Sequence, residues 1–483
     1  MQLIFLMLPG PYLSGQPGTL DNSFGQSGLL TFDLDSASET IYSVLVQPDG
    51  KIIASGVVDY SYFDPNDFAS ARFNADGGLD TSYGDNGKVI LDIGGTDNCN
   101  ASALQADGKI ILAGNAEYGA VRYVVLVRLN TDGSVDNSFG ESGIVKIGDD
   151  FEYDHGGTGV AIQADGKIII TAIHFDSHSD WDFCLIRVTS NGVLDGSFGN
   201  GGIVITEISN DSDYLEEIAI QPDGKIVAIG YSYDGYGVVV ARYDDDGTLD
   251  NTFGSGGVIT ANFQNFTFCE ATDVAIQPDD KILVAGRVGI SEYQFAVARL
   301  KSDGTLDNSF GGNGIVIPDI LLDNTINVSV AVEADGKILL GATAFDGYIV
   351  VRLNLNGTID STFGQDGMAL TGTFGILRDL KVQPDGKILA AGSSSGDFAM
   401  ARFISDVAVG QSVFGEDLSM LLIYPNPVST DFILQYVLLD DVQLNFSLFD
   451  MHGRLRQQIG EGLRRRGFNT ECIFLDPLLT EGE

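Results

Sequence analysis

Three of the four histidines in the chain, His155, His174 and His178, fall close together, with Asp154, Asp176 and Asp180 beside them. Imidazole nitrogens with a carboxylate are donors for Zn²⁺ or a similar divalent ion. A second set is aromatic: Trp181, the only tryptophan, with Tyr231, Tyr233, Tyr236, Tyr293 and Tyr348, all in aspartate-rich surroundings. Ring faces next to carboxylates suit recognition of a sugar or a protein, and the same rings could instead pack loop against loop. The four cysteines, Cys99, Cys184, Cys269 and Cys472, have none of the short paired spacings of a zinc site or a disulfide framework. Aspartate-glycine turns such as Asp244-Asp245-Asp246-Gly247 lack the long loop and terminal glutamate of a calcium hand, and turn chemistry accounts for them. No Gly-x-Ser-x-Gly, phosphate loop or Cys-x-x-Cys occurs, so no catalytic residue and no cofactor is assigned, and the sequence leans away from an enzyme.

The elements that must position these residues are repeats. Gln221-Pro222-Asp223-Gly224-Lys225-Ile226 has near copies ending at Lys51, Lys109, Lys167, Lys281, Lys337 and Lys387, at intervals of 58, 58, 58, 56, 56 and 50 residues. A second motif, Leu20-Asp21-Asn22-Ser23-Phe24-Gly25, also occurs seven times, each copy running into a short β-branched stretch such as Gly143-Ile144-Val145. Asp-Gly between two apolar runs predicts a hairpin. Before the turn lies strand A (Ile218-Ala219-Ile220), and after it strand B (Ile110-Ile111-Leu112). Strand C ends in an apolar-Arg-apolar triplet such as Val127-Arg128-Leu129, and strand D follows the Leu-Asp motif. Strand A, apolar on both faces, is expected to be deeply buried near an axis. Four antiparallel strands repeated seven times predict an all-β, seven-bladed β-propeller. On its three linked motifs, at Gln47, Gln105, Gln163 and their counterparts, the chain over residues 18 to 405 resembles the delta-60 repeat family of bacterial propellers; Asp280 replaces the turn glycine and Glu333 the glutamine.

An arginine at an otherwise apolar strand end needs a carboxylate or carbonyl partner. Eight residues after each of the first six lies an aspartate: Arg72 and Asp80, Arg128 and Asp136, Arg187 and Asp195, Arg242 and Asp250, Arg299 and Asp307, Arg352 and Asp360. Arg402 has Gly410 there instead and no strand D after it, whereas Asp21 and Gly28-Leu29-Leu30-Thr31-Phe32 stand unclaimed at the other end of the chain. The N-terminal segment is therefore expected to complete the last blade, pair Asp21 with Arg402 and close the ring.

The A–B and C–D connections share one end of each blade and carry the near-constant motifs. Length and sequence vary at the opposite end, at 60–67, 117–121, 174–182 and 231–236, where binding is to be sought. With 163 and 167 paired across the turn, antiparallel register sets 155 opposite 175 and makes His155 and His174 neighbours.

The chain has 67 acidic and 26 basic residues, a net charge of -41. That field disfavours nucleic acid and favours cations and basic partners. No internal run is long and apolar enough to span a bilayer. Leu3-Ile4-Phe5-Leu6-Met7-Leu8, with Ser14 and Gly15 beyond, reads as the core and cleavage region of a secretory signal peptide over residues 1–16, without the usual positive start. After a linker over 406–419, Tyr424-Pro425-Asn426-Pro427 and the segment from Asn445 to Arg454 resemble the C-terminal sorting domain of the type IX secretion system of Bacteroidetes. The resemblance covers 420–483 and implies a small β-sandwich, here expected to be truncated, export through the periplasm to the outer surface or medium, and the secretion machinery as partner. The sequence thus reads as an exported monomeric recognition scaffold for an extracellular glycan or protein. The alternative is a propeller hydrolase or lyase acting on polysaccharide, which would need convergent carboxylates or the histidines around the axial mouth.

Overall fold

The two turn motifs set the architecture. The structure is a computed structural model describing residues 2–6, 16–35, 37–60, 65–118, 121–148, 153–175, 180–234, 237–261, 269–289, 293–322, 327–345, 347–372 and 375–405, and five strands between 418 and 474. At each Asp-Gly-Lys turn the residue at the Gln47 position donates its N–H to the lysine carbonyl at 2.8–2.9 Å, and the fourth turn residue donates back. That fourth residue has positive φ, 84° at Gly50 and 63° at Asp280, which glycine adopts freely and aspartate at a cost.

Seven sheets result, each ordered A-B-C-D. The first blade is Ser38–Val46, Ile52–Asp59, Asp67–Phe73 and Lys88–Leu91; the third is Tyr153–Ile162, Ile168–Phe175, Trp181–Val188 and Ile203–Thr206. The last is Ile376–Val382, Ile388–Ser394 and Asp397–Phe403, and its fourth strand is Leu29–Phe32, so the N-terminal strand closes the ring as the sequence predicts. Successive A strands touch one another all the way round and enclose the axis. No helix occurs among the described residues, and none is long and apolar enough to cross a membrane.

Strands B and C are the most buried, as in Ile282–Val288 and Gly237–Tyr243. Strand A is only half-buried, contrary to expectation, because its axial side chains meet solvent in the central channel. In five blades strand A carries a bulge at one place, between Ile41 and Ser43, Cys99 and Ala101, Leu215 and Glu217, Ala271 and Asp273, and Leu377 and Asp379. A glycine of strand B sits opposite: a Cβ on Gly56, Gly114, Gly230, Gly286 or Gly392 would lie 1.8–1.9 Å from an A-strand carbonyl oxygen. The third blade has Ala172 there, and its strand A leaves register twice, between Tyr153 and His155 and between Gly156 and Val160.

The constant end is a seven-fold charge lattice. Arg72 Nε donates to Asp80 Oδ2 at 2.8 Å, Arg128 to Asp136 at 2.7 Å, and Arg402 to Asp21 at 2.8 Å across the closure. The turn lysines join the same carboxylates, Lys51 to Asp80 at 3.1 Å and Lys387 to Asp21 at 3.1 Å. Each guanidinium also lies over the motif's aromatic ring, Arg402 over Phe24 at 4.6 Å. Arg72, Arg128 and Arg402 each donate a further bond to a carbonyl of the following blade, at Thr131, Ser190 and Ala75. One repeated arginine therefore staples C to D within a blade and blade to blade around the ring.

Beyond the ring, Leu418–Tyr424, Asp431–Leu438 and Gly467–Phe474 form one three-stranded sheet. Val442–Phe449 and Leu455–Arg464 form another with Gln2–Leu6, which runs parallel to Val442–Phe449. Tyr424 ends its strand, while Pro425, Asn426 and Pro427 lie outside the described residues.

Candidate functional site

The variable end gathers aromatic and acidic side chains from the third, fourth and fifth blades. The fourth blade is Asp213–Ile220, Ile226–Ser232, Gly237–Tyr243 and Val258–Ala261; the first three strands of the fifth are Cys269–Ile276, Ile282–Val288 and Tyr293–Leu300. Tyr214 and Tyr231 are cross-strand partners, which stacks their rings at 4.9 Å and 8°. Trp181 meets Tyr214 edge-on at 4.7 Å, Tyr233 meets it at 5.1 Å, and Phe175 extends the row beyond Trp181 at 6.4 Å. Three of the four predicted ligand-face residues, Trp181, Tyr231 and Tyr233, are thus brought together around Tyr214; Tyr236 lies outside the described residues. Tyr233 is 38% exposed. Tyr348, by contrast, is a packing residue, buried with its hydroxyl donating to Ser393 O at 3.3 Å.

On the axial side the row meets ionisable groups. Burial, reinforced by Glu270 and opposed by Arg287, pushes the Glu216 carboxyl up to about 7. Glu270 is paired with Arg287 at 2.6 Å, and that guanidinium lies 4.3 Å from the Tyr293 ring centre. Burial first, then the charges of Glu216 and Glu270, raises the Tyr231 phenol well above its usual range, so it remains a hydrogen-bond donor.

Deeper in the channel, Asp273 Oδ2 accepts from Ser329 Oγ and Val330 N at 2.8 Å each, and Asp379 Oδ2 accepts from Val44 N at 2.8 Å, each tying one A strand to the next. Lys381 lies 3.0 Å from Asp379 Oδ1. Burial, with Asp273 nearby, pushes Glu217 up to about 8. Yet 46% of the Lys381 side chain is reached by solvent, so this is a wet channel whose walls hold the local dielectric below that of bulk water.

Two of the three histidines, His155 and His174, lie on the paired strands A and B of the third blade. Register places His155 opposite Ile173 and His174 opposite Tyr153, because the double irregularity displaces strand A; the expected pairing of 155 with 175 does not occur. His174 Nδ1 lies 3.7 Å from Asp182 Oδ2, and His178 is outside the described residues. Cys99, Cys184 and Cys269 are buried. Tyr214, Glu216, Glu270 and Arg287 escaped the sequence reading. The sign was there in Asp213-Tyr214-Leu215-Glu216-Glu217, which sets a tyrosine and two adjacent glutamates in one strand A.

Among solved structures the chain resembles a protein of unknown function from Dyadobacter fermentans (13% identity, 78% of this chain and 97% of that one, TM-score 0.38). It also resembles the polysaccharide lyase Uly1 (13%, 83% and 96%, 0.45) and an α-L-arabinofuranosidase from Fusarium graminearum (9%, 76% and 93%, 0.43). At these scores none bears on activity. No curated protein matches the chain. Residues 47–83, 105–139, 163–198, 221–253, 277–310, 333–363 and 383–406 match the family described as "Domain of unknown function (DUF5122) beta-propeller", one match per blade, in agreement with the seven-bladed ring.

Proposed function

We propose that this chain is an exported recognition scaffold that binds an extracellular glycan through the variable face of its third to fifth blades. The observation that carries the reading is the row Trp181, Tyr214, Tyr231 and Tyr233, with Glu216, Glu270 and Arg287 at its inner end. Aromatic faces take the apolar face of a sugar ring, and carboxylates and a guanidinium take its hydroxyls. The net charge of -41 favours a neutral or cationic glycan over a polyanionic one. Export to the outer surface or medium, with the type IX secretion machinery as partner, is supported by the apolar leader and the sorting-domain resemblance around Tyr424-Pro425-Asn426-Pro427.

The second reading is a polysaccharide hydrolase or lyase. It is favoured by Glu216 and Glu217, whose raised carboxyls would still hold protons near neutral pH and could act as general acids. A glycan array probed with the full chain, run beside a polysaccharide-degradation assay, separates the two. Binding without product release supports the scaffold, product release abolished by Glu217→Gln supports the enzyme, and neither signal removes both.

A further inference from the structure

We propose that Asp67, Asp92 and Asp97 form a binding site for one hard divalent cation, Ca²⁺ by its fit, at the seam between the first and second blades. The second blade begins with Thr96–Leu104. One carboxylate oxygen from each residue lies within 4.8 Å of the other two. Three such atoms can all be reached from a single point no more than about 2.8 Å away, close to the Ca–O distances of about 2.3–2.6 Å. The donors are oxygen only, which selects against zinc and copper, and Ca²⁺ accepts an irregular oxygen set where Mg²⁺ demands a near-ideal octahedron.

The carboxylates alone would not make a site. What singles this one out is Asp97, which is 0% exposed, with Oδ2 accepting from Ile93 N at 2.5 Å and Oδ1 buried without a hydrogen-bond partner. The same position in other blades shows the difference. Glu39 accepts from Leu34 N on Oε2 at 3.0 Å and from Asp35 N on Oε1 at 2.9 Å. Asp213 accepts from Ser209 N on Oδ2 at 2.9 Å and from Ser209 Oγ on Oδ1 at 3.0 Å. In those blades the carboxylate is fully used in holding its own D–A loop. At Asp97 one oxygen holds the loop and the other is left over, in a carboxylate that has two more beside it, which a folded chain tolerates poorly without a cation. Consistent with this, burial raises the Asp97 carboxyl to about 6 against the Ile93 N–H, with Asp67 and Asp92 adding to it.

A cation here would tie strand C and the end of strand D in the first blade to strand A of the second. The backbones already meet at that seam, where Asp97 N donates to Asn66 O at 2.8 Å and Asn66 Nδ2 donates to Asn98 Oδ1 at 3.0 Å. The site is separate from the aromatic row, so its failure leaves the glycan reading standing.

The test is calorimetric titration of the chelator-stripped full chain with CaCl₂, repeated on Asp67→Asn, Asp92→Asn and Asp97→Asn. Asp97→Asn keeps a side-chain oxygen for Ile93, and Asp92 is exposed, so folding should survive; circular dichroism checks it. With 67 acidic residues, diffuse weak uptake is expected everywhere. The proposal requires, above that background, one saturable event per chain, weakened at least about tenfold in each variant, and a Ca²⁺-dependent rise in thermal midpoint that the variants lose. No saturable event, or the same event in Asp67→Asn and Asp92→Asn, overturns it.

Discussion

Ring closure rests on one buried carboxylate, and replacing it tests how the propeller is held. Asp21 and Arg402 are 6% and 3% exposed and bonded at 2.8 Å. Lys387 shares the same oxygen at 3.1 Å, and Ser23 donates to the other through its N–H at 3.0 Å and its hydroxyl at 2.7 Å. Asp21→Ala removes the acceptor and leaves the guanidinium buried against Phe24 without its counter-charge, a loss of about 3–5 kcal/mol. Asp195→Ala removes the equivalent bond to Arg187, 2.9 Å long, and should cost a similar amount. The two should differ in what comes loose. Asp195 sits within a continuous blade, whereas Asp21 anchors Leu29–Phe32, which pairs with Asp397–Phe403 from the opposite end of the chain. Urea unfolding should rank both variants well below wild type. Brief proteolysis with mass mapping should release N-terminal fragments ending before Ser38 from Asp21→Ala alone. A loss under about 1 kcal/mol for Asp21→Ala, or the same cleavage pattern in both variants, would refute the closure account.

Stability should peak between about pH 4 and 5 and decline on both sides. Asp195, Asp307 and Asp360 are held near 2, and their contribution, complete above the ordinary 3.8, is lost as pH falls through 2. Glu216 and Glu217 are raised to about 7 and about 8, so their contribution is complete below the ordinary 4.5 and lost as pH rises through 7 and 8. Thermal midpoints across pH should show the dome, and Glu216→Gln with Glu217→Gln should flatten its alkaline side; a maximum at pH 8 would contradict the assignment. Asp280→Gly removes the one non-glycine residue from the positive-φ position of the seven turns and should stabilise by about 0.5–1 kcal/mol in urea unfolding; a destabilised variant would mean that the Asp280 side chain has a role of its own.

The sequence made the ring legible because each blade reports itself through a fixed interval between turn, arginine and aspartate, and the aspartate missing after Arg402 pointed to Asp21. The inter-blade staples were not legible, since Thr131 O or Ala75 O is a backbone acceptor with no signature of its own. The charge partners of the turn lysines were missed for a related reason: a carboxylate already matched to an arginine gives no sign of a second cation. On the variable face, Trp181, Tyr231 and Tyr233 were readable because they stand out in loop-flanking positions. Tyr214 and Glu216 were hidden by reading strand A as uniformly apolar, when its axial side faces a wet channel. The His155 register failed because strand A leaves register twice before Val160, and counting residues from the turn cannot see such irregularities.

The central claim is that recognition belongs to the variable face and that the repeated turns only build the ring. It is tested most directly by measuring affinity for the strongest array glycan with wild type, Tyr214→Ala and Lys225→Ala. Tyr214 is the hub of the aromatic row, and Lys225 lies at the constant end, paired with Asp250 at 3.1 Å. Tyr214→Ala should lose at least about tenfold, equivalent to about 1.4 kcal/mol, and Lys225→Ala should lose nothing. Equal affinities for wild type and Tyr214→Ala, or a loss confined to Lys225→Ala, would contradict it.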